Sequence, residues 1–184
     1  DPVTSFYAAL GVVSALLDRA RSGQGRLVEV NMLEAMIGLA IEPITSFFAR
    51  REPIPVLERA ATSQAYNLTC RDGKRIGLHA SMLDKFWQGL CRAIAREDWI
   101  VRYPTRADRI RGYESLACEL SEIFRTRDRA EWIERLERAV VPFGLENELQ
   151  DLEDDPQIRH LDVFYELEHP RYGRVKAPRR PVRI

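Results

Sequence analysis

The chain has 184 residues, 45% hydrophobic and 30% charged, with 28 basic side chains balanced by 28 acidic ones. That length suits one domain, or one and part of another, with enough material to bury a core. Zero formal charge removes the global electrostatic footprint expected of a nucleic-acid or membrane-surface binder.

Pro2 follows Asp1, and Thr4 or Ser5 is suited to cap a first helix running to about Arg21. Its apolar residues, from Phe6 to Leu17, occupy nearly every side, so it calls for cover all round. The stretch Ser22-Gly23-Gln24-Gly25 follows that helix and precedes Leu27–Val30, which reads as a strand. A phosphate-binding glycine turn has the opposite order, strand first and helix second, so that the helix N-terminus meets the phosphate. Gly23 is therefore expected to end the helix in a left-handed conformation. Asn31 is expected to cap a second apolar helix, Met32 to about Phe48, which Pro43 should kink or divide. The runs 6–17 and 32–41 are each too short to span a bilayer, and no basic-then-apolar leader opens the chain.

The prolines Pro53 and Pro55 and the polar residues to Gln64 read as a linker or loop, and as the domain boundary. Strands at 65–70 and 75–80 form a hairpin. A two-residue Asp72-Gly73 turn would oppose Leu68 to Gly77. A three-residue loop, Arg71-Asp72-Gly73, pairs Leu68 with Ile76 and Tyr66 with Leu78. The second register puts the apolar side chains on one face and is preferred, with Gly73 left-handed. Three amphipathic helices follow. Ser81 caps the first, with Asp84 in a box, over the stripe Met82, Leu83, Phe86, Trp87, Leu90, Cys91 and Ile94. Thr105 caps the second, with Ile110, Tyr113, Leu116, Ala117, Leu120, Ile123 and Phe124 inward. Thr126 or Asp128 caps the third, with Trp132, Ile133, Leu136, Ala139 and Val140 inward. Residues 141–144 read as a turn, Asp155-Pro156 as the start of a short helix, and 163–168 and 173–177 as strands around His169-Pro170.

Candidate chemistry is sparse. His79, His160 and His169 lack a second ligand at metal spacing, so no metal site is expected. The acidic residues Glu146, Glu148, Asp151, Glu153, Asp154 and Asp155 lack the alternating oxygens and central glycine of a calcium loop, and read as a solvated face with helix-start acids. The basic tail Arg171, Arg174, Lys176, Arg179, Arg180 and Arg183 reads as a solvated strand, a partner for that acidic run, or a phosphate site. Cys70, Cys91 and Cys118 form no CxxC pair and lie beside apolar stripe residues, which points to reduced, buried thiols in a cytoplasmic protein.

An ordered set of landmarks nevertheless resembles the family III CoA-transferases. It begins with Asp1-Pro2-Val3-Thr4-Ser5, Ala15-Leu16-Leu17-Asp18-Arg19, Ser22-Gly23-Gln24-Gly25 and Val28-Glu29-Val30-Asn31-Met32. It continues through Tyr66, Asp72-Gly73, Phe86-Trp87, Arg109, Glu131-Trp132 with Leu136, Val141-Pro142, Asp155-Pro156-Gln157 and His169-Pro170 with Gly173. Arg26 departs from the usual Gln. The resemblance implies an α/β, helix-rich fold, in which this chain is a C-terminal fragment of a Rossmann-like large domain plus a small α/β domain. Residues 1–50 would be the end of the large-domain segment and its linker, 51–165 the small domain, and 166–184 the return towards the large domain. It implies transfer of CoA between carboxylic acids through an aspartyl anhydride and an aspartyl-CoA thioester. The nucleophilic aspartate is expected upstream of residue 1, so no residue here is catalytic and the fragment alone would be inactive. Asp1, Thr4, Arg59, Gln64 and Tyr66 become candidates to face the substrate. Implied partners are acyl-CoA, a carboxylic acid and a second, interlocked copy, with no tightly bound cofactor, no nucleic acid and no membrane. Val3-Thr4-Ser5-Phe6 lacks the consecutive glycines of the racemase branch, which favours a transferase. The alternatives are an α-methylacyl-CoA racemase-type fragment and a noncatalytic dimer-interface module.

Overall fold

The computed structural model describes residues 1–80 and 84–182. The chain divides into two compact units, Asp1–Glu58 and Arg59–Ile184, within the proline-bearing stretch.

The first unit is helical. Helix α1 (Pro2–Ser22) starts earlier than the hydroxyls of Thr4 and Ser5 suggested, with Asp1 at the N-cap. Pro2 accounts for this: its missing N–H and fixed φ suit the first helical turn. Gly23 closes the helix at φ 73°, its N–H donating to the Arg19 carbonyl at 2.9 Å. Residues 27–30 pair with no strand among the described residues, contrary to the expectation, because a strand exists only through a partner's hydrogen bonds. The Asn31 side chain accepts from the Glu34 N–H at 2.9 Å and opens α2 (Met32–Leu39). Helix α3 (Ile41–Arg50) is bent 72° from it. The break falls at Ala40 because the Pro43 ring clashes with the carbonyl four residues earlier and offers it no N–H.

Few apolar side chains of this unit are covered. None of α1 is buried, and Ala35 is the buried residue of α2. Phe6 is 74% exposed, Leu10 65% and Leu33 71%. By length and composition α1, 21 residues long, could cross a membrane, and the α2–α3 pair would qualify only as a broken span. This corrects the expectation from run length: the helix continues beyond the apolar run at both ends.

The second unit is built round a three-stranded antiparallel sheet. Helix α4 (Glu58–Ser63) occupies part of the stretch read as a linker. Strands β1 (Ala65–Thr69) and β2 (Arg75–His79) pair Tyr66 with Leu78 and Leu68 with Ile76, the register of the three-residue loop. Gly73 takes φ 78°, a region with no steric cost for glycine. Strand β3 (Phe143–Glu146) adds to β2, with Gly144 opposite Gly77. It overlaps the stretch expected to be a turn. Its Gly and the preceding Pro imitate turn chemistry, while the ladder to β2 decides the conformation.

Helices cover the apolar sheet face. Helix α5 (Asp84–Ala93) buries Trp87, Leu90 and Cys91; its expected cap Ser81 and the stripe residues Met82 and Leu83 lie outside the described residues. A short α6 (Asp98–Arg102) buries Trp99. The expected second helix is two, α7 (Arg106–Arg111) and α8 (Tyr113–Phe124). They part at Gly112, where a Cβ would lie 2.6 Å from the Tyr103 ring. Thr105 and Asp108 form a reciprocal capping box. In α9 (Arg129–Arg138), with Asp128 at the N-cap, Trp132 and Leu136 point inward. Val140 does not: the helix has ended, its φ is 56°, and Val141 is buried instead. Leu116, Leu120, Phe124, Trp132 and Leu136 join the β1–β2 face in one core. Each such side chain contributes about 2 kcal/mol through burial. Asp155 caps α10 (Pro156–Leu161) by accepting from the Gln157 and Ile158 N–H groups. Strands β4 (Phe164–His169) and β5 (Gly173–Pro178), both expected as strands, pair with each other as a separate hairpin.

Candidate functional site

The substrate-facing candidates fall into two groups. Asp1 and Thr4 lie at the start of α1, where the Asp1 carbonyl accepts from both the N–H and the hydroxyl of Ser5. Arg59, Gln64 and Tyr66 lie at the junction of α4 and β1. Arg59 is exposed and donates to the Ser63 hydroxyl at 3.1 Å. Gln64 is buried at φ 47°, and its amide donates to the Ala61 carbonyl at 2.7 Å. The Tyr66 hydroxyl donates to the Gln64 side-chain oxygen at 3.2 Å. The Tyr66 ring stacks on Tyr113, 5.0 Å between centroids, while the Tyr113 hydroxyl donates to the Ala65 carbonyl at 2.5 Å. Burial raises the pKa of both phenols, so both stay neutral.

Beside them lies an aromatic cage. Trp87 and Trp99 stack at 6.1 Å and Tyr103 meets both edge-on. The Arg109 guanidinium sits 5.3 Å from the Trp87 centroid and donates to Asp84 at 3.0 Å. Arg109 is 3% exposed, and its Nε and Nη1, with the indole nitrogens of Trp87 and Trp99, have no hydrogen-bond partner among the described residues. The ring face and the single carboxylate offset part of the cost of burying this cation. Trp99 and Tyr103 were missed from sequence because the short α6 offers too little periodicity; the packed indole was the available signal.

The thiols divide. Cys70 and Cys91 are buried, and desolvation lifts them to about 11 and about 12. Cys118 is exposed, which corrects the expectation of three buried thiols. It projects away from the α8 stripe formed by Tyr113, Leu116 and Leu120. Neither the buried thiols nor the buried phenols supply a nucleophile at neutral pH.

The acidic run is engaged locally. Glu146 pairs with Arg75 at 2.8 Å, Asp155 caps α10, and Glu153 meets Lys176 of the basic tail at 3.0 Å. Arg179 bonds Asp162 at 2.9 Å, and Arg174 pairs with Glu166 across the hairpin. Arg183 lies outside the described residues. His169 Nδ1 accepts from the Arg171 and Tyr172 N–H groups and organises the β4–β5 turn. No group of three His, Cys, Asp or Glu side chains among the described residues could hold a metal ion. A charged groove of about 490 Å³ lies along α5 and α9, lined by Arg92, Arg127, Arg135, Arg138, Glu131 and Glu134 over Ala93 and Ala139.

The described residues combine a three-stranded sheet that carries helices on one face, an apolar helical unit and a terminal hairpin. The sequence profile of CoA-transferase family III matches residues 1–184, and the chain belongs to that family. It is 28% identical over 172 residues to succinyl-CoA:mesaconate CoA-transferase of Haloarcula marismortui, covering 92% of this chain and 43% of that one. It is 24% identical over 189 residues to human succinyl-CoA:glutarate CoA-transferase, covering 100% of this chain and 42% of that one. In fold it is similar to a CaiB/BaiF family protein from Brucella suis: TM-score 0.79, 21% identity, 99% of this chain and 47% of that one. The chain thus spans less than half the length of these relatives.

Proposed function

We propose that this chain is the C-terminal part of a family III CoA-transferase that moves CoA between carboxylic acids. The observation that carries the reading is that the family match spans residues 1–184, while the chain covers only 43% of a relative named for CoA transfer. In the whole protein, residues 1–50 complete a Rossmann-like large domain. Residues 51–165 form the small α/β domain, and 166–184 return to the large one. An aspartate outside residues 1–184 attacks the thioester carbonyl of the acyl-CoA donor, giving a mixed anhydride and releasing CoA thiolate. The thiolate returns to the aspartyl carbonyl, forms the enzyme-CoA thioester and frees the donor acid. The acceptor carboxylate reverses the sequence, leaving as a new acyl-CoA and restoring the aspartate. Splitting one difficult acyl transfer in this way lowers each barrier.

In this reading Asp1, Thr4, Arg59, Gln64 and Tyr66 line the substrate side. Gln64 and Tyr66 act through their mutual hydrogen bond, which holds the α4–β1 junction in place. CoA is a substrate, no cofactor is held tightly, and the enzyme works as a homodimer in the cytoplasm. The test is CoA transfer between two acids by the full-length protein with that aspartate changed to Ala. Loss of at least about 10³-fold in kcat is expected for removal of the nucleophile. Unchanged transfer would contradict the mechanism.

A further inference from the structure

We propose that the groove along α5 and α9 binds an oxyanion, the phosphate or carboxylate group of a small soluble ligand. Four guanidiniums, Arg92, Arg127, Arg135 and Arg138, face two carboxylates, Glu131 and Glu134, around a volume of about 490 Å³. The chain as a whole is neutral, so this local excess of two positive charges (4 − 2) is a property of the groove.

Two of the arginines are engaged. Arg127 and Arg135 lie 5.9 and 6.0 Å from the centroid of the buried Trp132 ring. Arg127 pairs with Glu131 at 3.3 Å, and Arg135 donates to the Ala93 carbonyl at 3.0 Å. Glu131 is shared with Arg71, at 3.1 Å, so its charge is divided between two cations. Arg92 and Arg138, exposed on α5 and α9, make no hydrogen bond or ion pair among the described residues. Glu134 stands four residues before Arg138, the spacing of a helical ion pair, and the pair is not formed.

Cations at helix C-termini also complement the terminal carbonyls. Arg135 does this by bonding Ala93; Arg92 and Arg138 bond no carbonyl among the described residues. Arg92 and Arg138, without partners among the described residues, line the same groove as the engaged Arg127 and Arg135, and the planar donor fork of each guanidinium suits an oxyanion.

The test is calorimetric titration of the 184-residue chain with inorganic pyrophosphate, and separately with succinate, to about 10 mM. Saturable binding of one equivalent in at least one arm is expected, and the tighter arm identifies phosphate or carboxylate. The double variant Arg92→Gln/Arg138→Gln should weaken binding at least about tenfold. Arg125→Gln, which removes a surface pair to Glu122 on α8, should not change it. If the Gln variant loses helix by circular dichroism, Arg92→Lys/Arg138→Lys decides: weaker binding supports the forked site, and unchanged affinity overturns it. Absence of saturable binding in both arms, or wild-type affinity in a folded Gln variant, also overturns the proposal.

Discussion

Gly89→Ala sets two effects of opposite sign against each other. In an ordinary helix interior Ala is better than Gly by about 1 kcal/mol. Gly89, however, is buried on α5, and a Cβ there would lie 2.5 Å from the Ala139 carbonyl oxygen and 3.2 Å from Val141 Cγ2. The nearer atom is backbone at the end of α9, which cannot rotate aside. Forcing a methyl into such a contact costs about 3 kcal/mol, the upper end for overpacking. The net expectation is destabilisation by about 2 kcal/mol, from the difference of those terms. With a urea m-value of about 2 kcal/mol/M, the midpoint should fall by about 1 M. Gln88→Ala, at the exposed neighbouring position, should shift stability by less than about 0.5 kcal/mol and reports the propensity effect alone. A Gly89→Ala protein as stable as wild type, or more so, would refute the close approach of α5 to the end of α9.

Thiol titration with an aromatic disulfide at pH 8 should find Cys118 reactive and Cys70 and Cys91 protected, and all three should react after denaturation. Because the folded thiol pKa values are raised to about 11 and about 12, their contribution to stability is intact below the unfolded thiol value. It is lost as the pH rises from there through the folded values, so alkaline unfolding should begin within that window. Thr105→Ala removes one arm of the capping box and should cost about 1 kcal/mol by urea denaturation; no change would refute the cap. Although α1 is long enough to cross a bilayer, the family reading expects its apolar face to seek protein. The chain should therefore stay at the bottom of a vesicle flotation gradient, and its rising with the lipid would favour membrane insertion.

What could be read from the sequence was set by local rules. The hairpin register followed from alternation at Tyr66, Leu68, Ile76 and Leu78, because the competing register would put them on opposite faces. The caps at Asn31 and Thr105 were legible because a cap is a contact within three residues, and Asp155-Pro156 marked a helix start. Strand β3 was not, because its conformation comes from a partner distant in sequence, and Pro142 and Gly144 imitate a turn. The division at Gly112 depends on Tyr103 packing against it, which no helical stripe records. Leu27–Val30 shows the reverse failure: its composition favours a strand, but composition supplies no hydrogen-bonding partner. The substrate-facing candidates came from family landmarks, and only Arg59, Gln64 and Tyr66 converge locally, at one junction. The arginine groove had no linear signature, since its walls lie on α5 and on α9 with the residues flanking it, separated by three other helices.

The apolar surface of α1 and α2 is left uncovered, and sedimentation velocity over a range of concentrations shows whether it seeks protein. The 184-residue chain should associate with rising concentration, with amides of α1 and α2 protected from hydrogen exchange in the associated state. A single monomeric species at every concentration, with those helices exchanging freely, would contradict that.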